Sequence, residues 1–180
     1  FTPQQNFNFA RTIVTAPLAL EEVGEASKHY PVVFSAQAPV PLALLGLEGK
    51  NAFVAENGDW TPSVYIPAYL RAYPFALGKL DAPDSFAILF DREAPQFSGN
   101  SGETLFDAAG KPSPAIERAR DYLFQMQKSA NQTRQVCVAL ETAGVLNQVR
   151  AEKRNGGAVN LPSFRLCDRN KLNALPDDVI

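Results

Sequence analysis

At 180 residues the chain has the length of one ordinary domain and enough material to bury a core without disulfides or a structural metal. Its 17 basic and 19 acidic residues form no long block of one sign, which argues against nucleic-acid binding because that function needs a clustered basic face. No run approaches the roughly 20 apolar residues of a membrane-spanning helix. We therefore expect a single domain over residues 1–180, with no transmembrane segment and no nucleic-acid partner.

The N-terminal third of the chain predicts one helix and several short strands. A helix is expected from Pro17 to about His29, and a strand from Val32 to Ser35. Two short apolar runs follow, at 42–47 and 52–55, and the second ends at Asn57-Gly58, a pair that tolerates positive φ in a tight turn. Two hairpin connections in succession predict an antiparallel meander.

The clearest single strand in the sequence runs from Ser85 to Asp91. Phe86, Ile88 and Phe90 alternate with other apolar residues, so both faces of this strand are largely apolar. Strands with two apolar faces usually lie in the middle of a sheet. A central position is therefore expected for this strand.

Two helices are predicted between residues 114 and 143. Ser113 stands directly before Pro114, which is typical of an N-cap followed by proline at the first helical position. The first helix is expected to end at Lys128, and the second to begin near Asn131 and end at Gly144. The chain is thus predicted to be an α+β protein, with a largely antiparallel sheet and a helical hairpin (about 114–143) packed on it.

The C-terminal part predicts a polar loop from Arg150 to Asn160, a strand from Phe164 to Asp168 and a short helix from Asn170 to Leu175. Residues 176–180 resemble the first turn of a further helix. This ending predicts that the chain is truncated at its C-terminus.

Residues that carry catalysis are sparse. His29 is the only histidine, and at a predicted helix end it complements the helix dipole. Cys137 and Cys167 are too scattered for a metal or redox motif and are expected to be free thiols. Asp91 and Glu93 are neighbouring carboxylates at a strand end, a place more typical of solvent exposure than of acid–base chemistry. We predict no catalytic residues, no metal site and no cofactor, and keep an enzyme that uses carboxylates, tyrosine or arginine as the third alternative.

The most distinctive stretch is the aromatic segment, which we define as residues 51–77. It contains the five candidate ligand-binding residues: Trp60, Tyr65, Tyr69, Arg71 and Tyr73. Pro67 and Pro74 bracket a predicted helix of about two turns, with tyrosines on one face and at its entry. Tyrosine and tryptophan line many pockets, and arginine binds carboxylates through paired hydrogen bonds. The alternative is a structural corner, in which the tyrosine hydroxyls bond backbone carbonyls and Arg71 pairs with an acid such as Asp59.

The same segment carries a resemblance to a known family. The matching stretches are Tyr30-Pro31-Val32-Val33-Phe34, Leu45-Gly46-Leu47, Asn51-Ala52-Phe53-Val54, Gly58-Asp59-Trp60, Tyr65-Ile66-Pro67-Ala68-Tyr69-Leu70-Arg71-Ala72-Tyr73-Pro74-Phe75-Ala76-Leu77, Leu105-Phe106-Asp107, Gly110-Lys111-Pro112 and Cys167-Asp168. In these stretches the chain resembles the bacterial SapC family. The resemblance implies an association, by name, with the surface layer (S-layer) of certain bacteria, and it implies no catalytic residues.

Two functions follow from these observations. The first is a non-enzymatic accessory protein or interaction module linked to S-layer assembly or export, with a bacterial surface-layer or envelope protein as its partner. The second is a binding domain for a small acidic or peptide-like ligand, held by the cluster of Trp60, Arg71 and the tyrosines of the aromatic segment. The residues leave two locations open, the cytoplasm and the cell envelope.

Overall fold

The structure, a computed structural model, describes residues 1–3, 6–82, 85–97, 102–149 and 164–176. The chain divides into two compact units. The ribbon unit comprises Phe1–Gln5 and Ala68–Lys128, and the sheet unit comprises Asn6–Pro67 and Ser129–Ile180. A single domain over residues 1–180 stays a prediction.

The sheet unit is built on five antiparallel strands in the order β1-β3-β2-β9-β8. Their ranges are β1 Thr15–Pro17, β2 Val32–Ser35, β3 Pro41–Leu44, β8 Leu146–Val149 and β9 Phe164–Cys167. The predicted α+β class and antiparallel sheet are therefore confirmed, and β2 has the predicted bounds. The strands interleave segments from both ends of the sequence, so the sheet cannot form from local contacts alone.

A separate small hairpin joins β4 (Gly46–Leu47) to β5 (Lys50–Asn51). Its two-residue loop has positive φ at Glu48 (52°) and Gly49 (76°), the signature of a type I′ turn. A β-bridge between Val54 and Trp60 closes the next turn. Both predicted turns are present, but β4 and β5 pair only with each other among the described residues, so the predicted meander is wrong.

The ribbon unit contains a two-stranded antiparallel ribbon of β6 (Phe75–Lys79) and β7 (Phe86–Phe90). The prediction that β7 lies centrally in a sheet is wrong, because β6 is its one partner strand among the described residues. One face of the ribbon packs on the core formed around Phe75, Ile116 and Leu123. On its other face Ala76 and Leu89 are exposed, and Ala87 is half-buried.

The predicted helical hairpin is also wrong, because residues Pro114–Thr142 form one continuous helix, α3, of 29 residues. No glycine or proline interrupts it after Pro114, and Thr133 Oγ1 donates within the helix to the Ser129 carbonyl, one turn earlier (2.8 Å). The polar residues near Asn131 therefore form exposed helix surface instead of a loop. Both ends are as predicted, at Pro114 and before Gly144, whose φ is +69°.

Three short α-helices, α1 (Leu20–Ala26), α2 (Ala68–Arg71) and α4 (Arg169–Asn173), and two 3₁₀-helices, Asn8–Ala10 and Pro95–Phe97, complete the described fold. The helix α1 begins after the predicted Pro17 because that residue belongs to β1. The helix α2 has one turn instead of two. The predicted loop at 150–160 and the helix start at 177–180 lie outside the described residues.

The two cysteines are free, as predicted, with Cys137 buried and Cys167 half-buried. Burial raises the pKa of both thiols, and the neighbouring Asp168 carboxylate adds to the rise at Cys167. The thiols are thus held in the protonated, weakly reactive form at neutral pH.

The described helices include none with the length and hydropathy needed to cross a bilayer.

Candidate functional site

The five candidate residues divide between the two units. Trp60 and Tyr65 belong to the sheet unit, whereas Tyr69, Arg71 and Tyr73 belong to the ribbon unit. The boundary falls between Pro67 and α2, inside the aromatic segment.

Trp60 is part of a packed aromatic cluster in the sheet unit. Its ring centroid lies 5.3 Å from that of Phe7 and 6.1 Å from that of Phe53, and the residue is 8% exposed. The turn at Asn57-Gly58 and the bridge to Val54 fold the chain back to place it there. The indole Nε1 is buried and has no hydrogen-bond partner in the described structure.

Tyr30 also belongs to this cluster, and it contacts the aromatic segment at Phe53 and Tyr65. Its ring meets Phe53 edge-on at 4.8 Å, and its hydroxyl donates to the backbone carbonyl of Tyr65. Burial raises the pKa of Tyr30 to about 12. The indole N–H of Trp60 opposes that rise in pKa by its proximity, although it does not reach hydrogen-bonding geometry.

The Tyr65 hydroxyl is held by a buried carboxylate that the sequence did not single out. It donates to Glu22 Oε1 (2.7 Å), while Glu22 Oε2 accepts from the Ala19 backbone N–H at the start of α1 (2.8 Å). Glu22 is 8% exposed. A glutamate at the third position of a helix is the signal that could have found it, but Ala19 lacks the hydroxyl of a usual capping box.

We predict that Tyr65→Phe lowers the free energy of unfolding by about 1.5 kcal/mol, because it removes a hydrogen bond to a buried charge. Glu22→Ala is expected to cost at least as much, since it leaves the Tyr65 hydroxyl and the Ala19 N–H without their acceptor. The double variant should lose less than the sum of the two single losses. Urea unfolding of the four proteins measures this coupling.

Tyr69→Phe is the matched control for this cycle, because Tyr69 is 52% exposed. Its loss should stay within about 0.5 kcal/mol. A Tyr65→Phe variant as stable as Tyr69→Phe would show that the contact with Glu22 does not stabilise the fold.

In the ribbon unit, Tyr69 and Arg71 lie on α2 at the surface. The guanidinium carbon of Arg71 lies 6.0 Å from the ring centroid of Tyr122, at the outer limit of a cation–π contact. The Tyr122 hydroxyl donates to the Ala68 carbonyl (3.1 Å), which fixes the ring beside α2. This arrangement presents one phenol and one cation at the surface of the ribbon unit.

The Tyr73 hydroxyl makes a hydrogen bond within the ribbon unit. Its hydroxyl donates to Asp91 Oδ2 (2.8 Å), and the Asp91 Oδ1 accepts from the Glu93 backbone N–H (3.0 Å). Burial, followed by the hydrogen bond and the negative charge of Asp91, raises the pKa of Tyr73 to about 12. Asp91 therefore acts as a hydrogen-bond acceptor in the turn that follows β7.

Four of the tyrosine hydroxyls bond within the chain, at Tyr30, Tyr65, Tyr73 and Tyr122. Among the residues that the structure describes, no three His, Cys, Asp or Glu side chains lie close enough to hold a metal ion. Within the candidate set, Tyr69 and Arg71 on α2 are the exposed residues.

The largest feature that sequence reasoning missed is the outer ribbon face. We give this name to the exposed side of the ribbon, formed by Ala76, Gly78, Leu80, Ala87 and Leu89. Leu80 and Leu89 are 48% and 53% exposed. The Leu89 side chain, whose residue pairs with Ala76, lies over Gly78, where an added Cβ would be 2.8 Å from the leucine Cδ1. Among the described residues, those that alternate on this side of β6 and β7 are all apolar.

Comparison with known proteins gives one match. The family model described as SapC matches residues 1–180. No curated protein and no solved structure matches the chain.

Proposed function

The chain belongs to the SapC family, and from that membership we propose that it is a non-enzymatic accessory or interaction protein linked to the assembly or export of a bacterial surface layer. The family name carries the connection to the surface layer. The match extends over residues 1–180, which supports treating them as one SapC-like domain. Its partner would be a bacterial surface-layer or envelope protein.

The outer ribbon face is the observation that carries this proposal. Exposed apolar patches are typical of protein interaction sites, because burying them against a partner removes apolar surface from water. Leu80 and Leu89 are both about half exposed, and the Leu89 side chain lies over Gly78 on this face. A protein that acts by binding another protein needs such a surface.

The internal hydrogen bonds of two tyrosine hydroxyls support the same function. The hydroxyls of Tyr65 and Tyr73 already donate to carboxylates within the chain, and their hydrogen bonds hold the fold. Acid–base catalysis requires a group that can reach a substrate proton. An interaction protein has no such requirement.

The test is a binding experiment with Leu89→Asp and the matched control Leu166→Asp. Both leucines are exposed strand residues, but Leu89 lies in the outer ribbon face and Leu166 lies in β9 of the sheet unit. The wild-type protein should co-purify with the surface-layer protein or an exporter component, because the outer ribbon face supplies apolar contact area.

Leu89→Asp should weaken that binding several-fold, and Leu166→Asp should leave it unchanged. Circular dichroism confirms that both variants are folded. Equal binding by the two variants would exclude the outer ribbon face, and a wild-type protein that binds no envelope protein would contradict the proposed function. Fractionation of the producing cells distinguishes the cytoplasm from the envelope.

A second candidate function is the binding of a small acidic or peptide-like ligand, and the surface position of Tyr69 and Arg71 favours it. Arginine binds carboxylates through two parallel hydrogen bonds, and an exposed phenol adds apolar contact. The candidate set as a whole also includes Trp60, Tyr65 and Tyr73. A ligand that binds the folded protein raises its melting temperature, which a thermal-shift screen with acidic peptides would measure.

Arg71→Ala is the variant that tests this second function. It should abolish the thermal shift of any peptide that binds through its carboxylate, while Arg11→Ala, in the sheet unit, should not. An unchanged shift in Arg71→Ala would remove Arg71 from the site.

A further inference from the structure

Three hydrogen bonds hold the turn at Asn57-Gly58. The Asn57 side chain is bound at both ends by Asp59, with Oδ1 accepting from the Asp59 backbone N–H (3.1 Å) and Nδ2 donating to Asp59 Oδ2 (2.6 Å). The Gly58 N–H donates to the Ala55 carbonyl (2.9 Å). Asn57 is exposed to water, and Gly58 has φ = +87°.

We propose that Asn57 is a site of spontaneous deamidation, that the folded turn slows the reaction, and that the product opens the turn beside Trp60. The Gly58 amide nitrogen gives up its proton to a base in solvent and attacks Asn57 Cγ. A nitrogen–carbon bond forms, the bond from Cγ to Nδ2 breaks, and the leaving group departs as ammonia. Water then opens the cyclic imide at either carbonyl, which leaves an aspartate or an isoaspartate, with no oxidation or reduction.

Glycine after asparagine makes the attack sterically possible, because no Cβ shields the amide nitrogen. The folded turn opposes the attack in two ways. The Gly58 nitrogen must leave the Ala55 carbonyl before it can lose its proton, and the Asn57 side chain must leave Asp59 before its carbonyl carbon can reach that nitrogen. The reaction should therefore proceed mainly when the turn opens locally.

The product cannot restore the native turn. An aspartate at position 57 would place a second carboxylate where Nδ2 now contacts Asp59, and two carboxylates at that distance cannot both stay ionised without strong repulsion. An isoaspartate would also insert a methylene into the backbone next to Gly58. The Gly58 carbonyl accepts from the Phe7 N–H (2.8 Å), so its displacement would loosen Phe7 from the Trp60 ring.

The rate test follows Asn57 in the 180-residue chain at mildly alkaline pH by peptide mass mapping. The sequence holds a second Asn–Gly pair, Asn155-Gly156, outside the described residues, and its peptide is scored separately. Conversion of Asn57 should be several-fold slower in the native protein than in the same chain unfolded in urea. Asp59→Ala should raise the native rate. Equal rates in the native and unfolded chains would overturn the protective role of the turn.

The consequence is tested with Asn57→Asp, which has the charge of the product, and with the exchange variant Asn57→Asp/Asp59→Asn. The single variant should melt at a lower temperature and shift the Trp60 fluorescence towards that of an exposed indole. The exchange variant restores one amide and one carboxylate at the same contact and should recover most of the loss. A single variant as stable as the wild type, or an exchange variant no better than the single one, would contradict the proposal.

Discussion

Gly46→Ala is expected to destabilise the sheet unit by about 3 kcal/mol, at the upper end of the cost of overpacking a well-packed site. A Cβ at position 46 would lie 1.9 Å from the Lys50 carbonyl oxygen and 2.8 Å from its carbonyl carbon. The obstacle is backbone in the partner strand of a two-residue hairpin, so it cannot turn away as a side-chain end would. The hairpin of β4 and β5 would have to separate.

The chain offers a matched control in Gly24→Ala. Gly24 lies within α1, and a Cβ there would meet nothing within 4 Å. Because alanine favours the helix over glycine, this variant should gain up to about 1 kcal/mol. Urea unfolding measures the free energy of unfolding of both variants. A Gly46→Ala variant as stable as the wild type would show that the hairpin is looser than its geometry indicates.

The contrast between these two glycines shows what local sequence signals can and cannot specify. The turn after Leu47 is recognisable from Glu48-Gly49, because a tight hairpin needs residues that accept positive φ. Nothing in the letters around Gly46 indicates the approach of the Lys50 carbonyl. That approach depends on the hairpin register, which exists only once the strands have paired.

The difference between local signals and long-range contacts also explains which secondary-structure elements the sequence predicted. The ends of α3 follow from Pro114 and Gly144, since each residue acts on its own backbone. The continuity of α3 past Ser129 does not follow, because the predicted break relied on polar composition, and polar residues are equally at home on an exposed helix. The Thr133 side chain also receives the Leu20 N–H (2.8 Å), a contact across 113 positions of sequence.

The two apolar faces of β7 led to the wrong prediction of a central strand for a related reason. A strand with apolar residues on both sides is usually covered on both sides, and this expectation gave it a central place. In the ribbon unit the Leu89 side is exposed. Sequence pattern records which faces are apolar but does not say what covers them, and an uncovered apolar face is the feature on which the proposed interaction rests.

The sequence identified the residues of the candidate site, but it did not predict which of them lie together in the fold. The spacing of Tyr65, Tyr69 and Tyr73 is a local signal, and it placed these residues on and around one short helix. The partners of their hydroxyls are remote in sequence: Glu22 lies 43 positions from Tyr65, and Asp91 lies 18 positions from Tyr73. Which tyrosines hold the fold and which stay at the surface is decided by these distant acceptors.

Stability is expected to fall as the pH rises from about 10 to about 12, with Tyr30 as the principal cause in the sheet unit. Burial raises the pKa of Tyr30 from 10.0 to about 12, so the folded protein keeps the phenol proton over a range in which the unfolded chain loses it. The stabilisation from this group is fully present below pH 10 and is lost as the pH passes through the folded-state pKa. Each pKa unit corresponds to about 1.4 kcal/mol, and after allowance for screening by water the loss is about 2 kcal/mol.

Tyr30→Phe separates this effect from general alkaline damage. The variant should be less stable than the wild type at pH 7 by about 1 kcal/mol, because the Tyr65 carbonyl loses its donor. It should then lose less stability than the wild type between pH 10 and 12, since the titrating phenol is gone. Tyr73→Phe serves as the comparison in the ribbon unit, where the pKa of Tyr73 is also raised to about 12. Urea unfolding at a series of pH values measures both slopes, and parallel curves for Tyr30→Phe and wild type would show that Tyr30 is not the group whose titration weakens the fold.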